Sequence, residues 1–176
     1  NEELDQLCHK LIDEFSEYEV DLLPAYAQKI PIIIIARLLG IPEEMSDQLL
    51  SWSNAMVAMY QARRTTEIEK EANQSAADFR AYLKAYIDER RKNPRDDLLS
   101  NLIQAEELGE KLTTAELIST VVLLLNAGHE ATVHTLGNGI KTLIETRNPK
   151  KWTQPDLINK TVEEILRFDP PLHMFN

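Results

Sequence analysis

An all-α fold is what this sequence predicts, and three observations predict it. Apolar residues recur at three- and four-residue spacing through most of the chain, the period of a helix with one buried face. Helix start and stop signals punctuate those runs: a Thr113-Thr114-Ala115-Glu116 capping box, Gly40 after a leucine pair, and Pro149 after Asn148. Five glycines in 176 residues leave little material for antiparallel sheet.

Composition narrows the class. Hydrophobic residues make up 43% of the chain, with charges of both signs, as in a folded globular protein. A formal net charge of −10 argues against nucleic acid or an anionic membrane as partner. The apolar runs 121–125 and 32–36 fall far short of the roughly 18 residues of a membrane span. The opening NEELDQL has neither the basic nor the apolar part of a signal peptide, and Cys8, the lone cysteine, excludes an internal disulfide. The expectation is a soluble, cytoplasmic protein.

The elements follow in order. Residues 2–18 place Leu4, Leu7, Leu11, Ile12 and Phe15 on one helix face, with Cys8 beside them as a small hydrophobe. Residues 21–39 form a second helix with Pro24 in its first turn, kinked or interrupted at Pro31 and capped by Gly40. A third starts at Ile41-Pro42-Glu43-Glu44 and runs to Met59 or Tyr60. The loop 63–66 leads into a long helix over 67–92, with Ala76, Phe79, Leu83, Tyr86 and Ile87 inward and its 88–92 tail solvated. Asn93-Pro94 breaks it, and Asp96 or Asp97 caps a short helix to Glu107. The Asp96-Asp97 pair lacks the third acid of a magnesium cluster, since Ser100 stands in its place. A central helix runs from the capping box to about Glu145, with a local distortion expected near Gly128. A last helix covers 157–167 and stops before Pro170-Pro171.

The central helix carries the chemistry. Its stretch TVVLLLNAGHEATVHTL is apolar enough to require burial, yet holds Asn126, His129, Glu130, Thr132 and His134 among the small residues Ala127, Gly128 and Ala131. Buried ionisable groups cost several kcal/mol unless paired, so this predicts a site with a buried acid. A zinc-protease motif fails, because Val133 stands where the second histidine must be and His134 lies about 140° round the helix from His129. Glu130 and His134, four apart, can pair or handle a proton. Glu164 and Arg167, three apart and flanked by Ile165, Leu166 and Phe168, are either a solvated pair or a buried one.

LLLNAGHEAT on a long helix, then EEILRFDPP, resembles the cytochrome P-450 haem-thiolate monooxygenases of the soluble bacterial type. AGHEAT is similar to the family's A-G-x-[DE]-T-[TS] signature, Glu164 and Arg167 to its E-x-x-R. IARLLGIPEE and DDLLSNLIQ with LTTAEL resemble the segments before the F helix and the central helix. The resemblance implies the helical core of that fold, from about the D to the K helix, as a single partial domain over 1–176.

It implies Leu123, Leu124, Ala127, Gly128 and Ala131 against haem, and Leu123, Asn126 and Ala127 towards an apolar small-molecule substrate. Glu130 takes the acid position of proton delivery, and Glu164 with Arg167 the structural pair. Haem and O₂ are the implied cofactor and co-substrate, and a ferredoxin- or flavoprotein-type protein the implied electron donor. The sequence departs from the pattern in three places. Ala131 replaces the usual threonine, with Thr132 next to it but turned elsewhere on the helix. The axial cysteine loop and the N-terminal sheet fall outside 1–176, so no metal ligand is expected in this chain and it is expected to be inactive alone. The connection 152–157 is short for the family. The rivals are a non-catalytic all-helical ligand-binding domain and a degenerate homologue that keeps the fold without oxygen activation.

Overall fold

The computed structural model describes residues 2–16, 18–61, 63–107 and 112–171. Among them there are helices and turns and no strand. No helix is long and apolar enough to cross a membrane among these residues. The α-helices are α1 (Glu2–Asp13), α2 (Lys29–Leu38), α3 (Ser46–Val57), α4 (Thr66–Lys92), α5 (Leu98–Glu107), α6 (Thr114–Glu145), α7 (Pro149–Trp152) and α8 (Ile158–Phe168). The chain divides into two compact units, Ile32–Gly128 and Asn1–Pro31 with His129–Asn176.

The first of these units holds a continuous apolar core from α2 to the first half of α6. Leu39, Leu49, Phe79, Leu83, Ile87, Leu99, Leu117, Val121 and Leu125 are all almost fully buried in it. Trp52 of α3 stacks on Phe79 of α4 with ring centroids 5.1 Å apart, the offset arrangement aromatic pairs favour. The inward face of α4 is shifted from expectation. Ala76 is exposed and Ala72 is buried, because the stripe follows 72, 79, 83, 87 and 90.

That stripe ends in a charge. Arg90, expected in a solvated tail, is 1% exposed. Its Nη1 lies 3.0 Å from Asp97 Oδ2, an ion pair held by charge without hydrogen-bond alignment. Asp97 Oδ1 in turn accepts from the Ser100 N–H at 2.8 Å, capping α5 as expected. Gly40 completes the cluster. At φ +66° it closes α2 in a Schellman turn, with Ile41 N–H on the Ala36 carbonyl at 2.8 Å and Gly40 N–H on that of Arg37 at 3.0 Å. Its own carbonyl accepts from the Tyr86 hydroxyl and from Arg90 Nη2.

In the other unit α1 is shorter than its sequence pattern. It ends at Asp13, leaving Leu4 and Ile12 exposed, and Phe15 beyond it packs edge-on against Tyr26 at 6.3 Å. Residues Leu23–Ala27 make a π turn with Pro24 near its start, and α2 begins anew at Lys29. Pro31 therefore falls in the first turn of α2, where its missing N–H costs nothing. The interruption has moved ahead of it, to the turn whose carbonyls its ring would crowd.

Gly137 and Gly139 of α6 permit close approach. A Cβ on Gly137 would meet Leu23 at 2.7 Å, and one on Gly139 would meet Ile165 of α8 at 2.9 Å. Asn138-Gly139 is a hairpin dipeptide by composition, yet it is helical here because that side of α6 must receive α8. Asn138 Nδ2 donates to the Asp169 carbonyl at 3.1 Å, fixing the end of α8. The four-residue α7, not foreseen, is capped by Asn148 and anchored by the Thr161 hydroxyl, which donates to the Trp152 carbonyl at 2.8 Å.

Candidate functional site

The capping box sets where α6 begins. Thr113 N–H donates to Glu116 Oε2 at 2.7 Å and Glu116 N–H to Thr113 Oγ1 at 3.3 Å, the reciprocal pattern predicted. These bonds hold the Glu116 carboxyl below its ordinary range. From there α6 is helical through to Glu145.

In the unit that ends at Gly128, the motif residues divide by face. Leu125 is buried in the core and Leu124 packs partly against it. Leu123 is 65% exposed and Ala127 is exposed. Asn126 is half-buried, with an Oδ1 that has no hydrogen-bond partner. The direction a side chain would take from Gly128 leads to Ile35 Cδ1, 3.1 Å away, so its missing Cβ serves the packing of α2 on α6.

In the unit that resumes at His129, the expected buried acid is corrected. The Glu130 side chain is 50% exposed, with His134 Nε2 3.9 Å from its Oε1 and itself 53% exposed. The buried group is its neighbour His129, at 2% exposure. Neither of its ring nitrogens has a well-formed hydrogen bond. Burial, then the charge of His134, push its pKa below the usual value against a weak pull from the Gln28 backbone, so it sits neutral. Ala131 is exposed, and its carbonyl accepts from the Thr135 hydroxyl at 2.8 Å. Thr132 is exposed, about 100° further round the helix from Ala131.

By helical periodicity Leu123 and Ala127 share a face of α6 in the first unit, and Glu130, Ala131 and His134 fall within an arc of about 100° in the other. The sequence reading expected the acid Glu130 to be buried, whereas the buried residue is its neighbour His129. The run is apolar on nearly every side, and its hydrophobicity does not say which side meets the core.

Glu164 and Arg167 form a bidentate pair on α8, Nε to Oε2 at 2.8 Å and Nη2 to Oε1 at 2.6 Å. The pair is exposed, and the arginine's hydrogen bonds hold the carboxyl below its usual range. Alongside lies a groove of about 800 Å³ lined by Leu143, Trp152, Leu157, Ile165 and Phe168. Its nearest α6 residue, Thr142, is twelve residues beyond Glu130, about 18 Å along the axis, so the groove is separate from the motif face. Among the described residues no cluster of three or more His, Cys, Asp or Glu is placed to hold a metal ion.

Comparison with known proteins gives a consistent answer. A family model described as "Cytochrome P450" matches residues 41–154, which include the whole of LLLNAGHEAT. The polyketide biosynthesis cytochrome P450 PksS of Bacillus subtilis is 38% identical over 97% of this chain and 42% of its own length. A myxobacterial cytochrome P450 solved with myristic acid superposes with a TM-score of 0.87 at 35% identity, over 97% of this chain and 42% of that one. P450BioI, solved with an acyl carrier protein carrying hexadec-9Z-enoic acid, gives 0.89 at 30% identity over 99% and 46%. The chain thus spans less than half the length of the relatives it matches.

Proposed function

The chain belongs to the cytochrome P450 family, and on that premise we propose that it is the helical middle of a haem-dependent monooxygenase. The parent protein activates O₂ and hydroxylates an apolar small molecule, with electrons from a ferredoxin- or flavoprotein-type partner. The observation that carries the reading is the small, exposed face of α6 within the matched stretch. Ala127 and Ala131 offer only methyl groups there, and Leu123 is turned out of the core. A flat apolar macrocycle fits such a face, since burying these groups against it removes apolar surface from water. Leu123, Ala127 and Ala131 would hold the haem. Leu124 and Gly128 contribute less than their place in the motif implies, being engaged with the core and with Ile35.

When bound through a cysteine thiolate, haem iron supplies the oxygen chemistry. The chain's own residues orient and protonate. Glu130, exposed next to Ala131, holds a proton at its carboxyl oxygens for delivery there. Asn126 and Leu123 face the substrate. Glu164 and Arg167 take the place of the family's structural pair. The ligands of the two solved relatives, myristic acid and a hexadecenoyl chain, support an apolar substrate.

The test is the reduced, carbon monoxide-bound absorption spectrum of the full-length protein, followed by O₂-dependent turnover in wild type and Glu130→Gln. A thiolate-type band with turnover lowered about a hundredfold in the variant is expected, the lower range for a positioned proton donor. Absence of the band, or turnover indifferent to the variant, overturns the reading. A degenerate homologue is the second reading, favoured by Ala131; it keeps the spectrum and shows no O₂-dependent turnover.

A further inference from the structure

Ala131 leaves the motif without the hydroxyl that its family pattern supplies, and the neighbouring hydroxyls are badly placed to substitute. The Thr135 hydroxyl is donated to the Ala131 carbonyl, and Thr132 lies on another side of the helix. One proton-carrying side chain does share the arc of Glu130. His134 sits one turn further along α6, its Nε2 3.9 Å from Glu130 Oε1, and both groups are about half exposed.

We propose that His134 is the proton carrier that recharges Glu130. The proposal rests on the monooxygenase reading. In the step, the imidazolium N–H bond of His134 breaks and an O–H bond forms on the Glu130 carboxylate, directly after a small side-chain rotation or through one water. Neutral His134 then regains its proton from solvent, and the proton on Glu130 moves on to the side of the helix that Ala131 presents. Imidazole suits this place because one ring nitrogen can give a proton while the other takes one. The other group that senses His134 is His129, which is buried and neutral and has no route to solvent. The spacing helps as well: an acid and a histidine four residues apart stay adjacent on a rigid helix, whereas a loop histidine would not.

Two measurements test this. In the haem-free chain with ¹⁵N-labelled histidine, exchange of the His134 ring proton with water is expected to slow about fivefold in Glu130→Gln, because the carboxylate that accepts it is gone. Unchanged exchange overturns the relay. In the haem-loaded full-length protein, His134→Gln is expected to lower product formed per electron consumed about tenfold, the remainder leaving as hydrogen peroxide, with substrate binding retained. The double variant with Glu130→Gln should be no worse than Glu130→Gln alone, since both act on one proton path. Additive losses, or a His134→Gln protein coupled as tightly as wild type, overturn the proposal while leaving the monooxygenase reading intact. A wild-type protein without haem-dependent turnover overturns both.

Discussion

Replacing Gly40 by alanine should be among the most damaging single changes to the unit Ile32–Gly128. Two costs combine. Gly40 has φ +66°, where an L side chain is strained by about 1–2 kcal/mol. The added Cβ would also sit 2.5 Å from Cγ of Asp97 and closer still to its Oδ2, so the carboxylate must move. That carboxylate is the partner of Arg90, which is 1% exposed and whose stripe-mates on α4 are Phe79, Leu83 and Ile87. Breaking a buried pair costs about 3–5 kcal/mol, because the remaining charge stays in the core. The total, about 4–7 kcal/mol, is comparable to the whole stability of an ordinary domain. Urea unfolding followed by far-ultraviolet circular dichroism measures it. Repeating Gly40→Ala in an Asp97→Ala background separates the two costs, since the carboxylate clash is gone and what remains is the backbone strain of about 1–2 kcal/mol with the tight 3.0 Å approach to the residue-97 Cβ. A loss below about 1 kcal/mol for Gly40→Ala, or an equal loss in both backgrounds, would refute the reasoning.

Two further outcomes are expected. His129 is held neutral by burial, whereas in the unfolded chain it takes up a proton near its usual pKa of about 6.5. The unfolded state then binds more protons, so stability should fall as pH drops below about 6.5 towards the depressed folded value. His129→Leu should remove that part of the slope between pH 7.5 and 5.5 in urea unfolding, and an unchanged slope would count against a buried neutral imidazole. Phe79→Ala should cost about 3–5 kcal/mol, since the ring is fully buried and stacked on Trp52; a midpoint shift equivalent to under about 1 kcal/mol would mean the α3–α4 stack contributes little.

The helical outline was legible because its punctuation is local. The Thr113–Glu116 box and Asn148-Pro149 bound α6, and Asp97 caps α5, by chemistry within three or four residues. The pair Glu164–Arg167 was likewise readable from spacing, although not its exposure. What escaped depends on partners distant in sequence. Arg90 looks like part of a basic helix tail until Gly40 and Asp97, fifty and seven residues away, are seen around it. A signal was present nonetheless: Arg90 continues the spacing of Phe79, Leu83 and Ile87, and a charge on an apolar stripe asks for a buried partner. The π turn was hidden because Pro24 and Pro31 are each compatible with an ordinary helix start. In α6 the failure was of another kind, for LLLNAGHEA is apolar all round and hydrophobicity cannot choose between His129 and Glu130 as the inward residue.

The π turn at Leu23–Ala27 also bears on which length changes the chain can absorb. A π turn spends about one residue more than an α turn to cover similar ground, so it stores a spare residue between α1 and α2. A one-residue deletion there can be taken up by reverting to α geometry, with the register of both flanking helices kept. The same deletion within α2 would rotate every later side chain of that helix by about 100° and turn Ile35 away from Gly128. Length variation among related chains should therefore gather at this turn and be rare in the ten residues that follow Gln28.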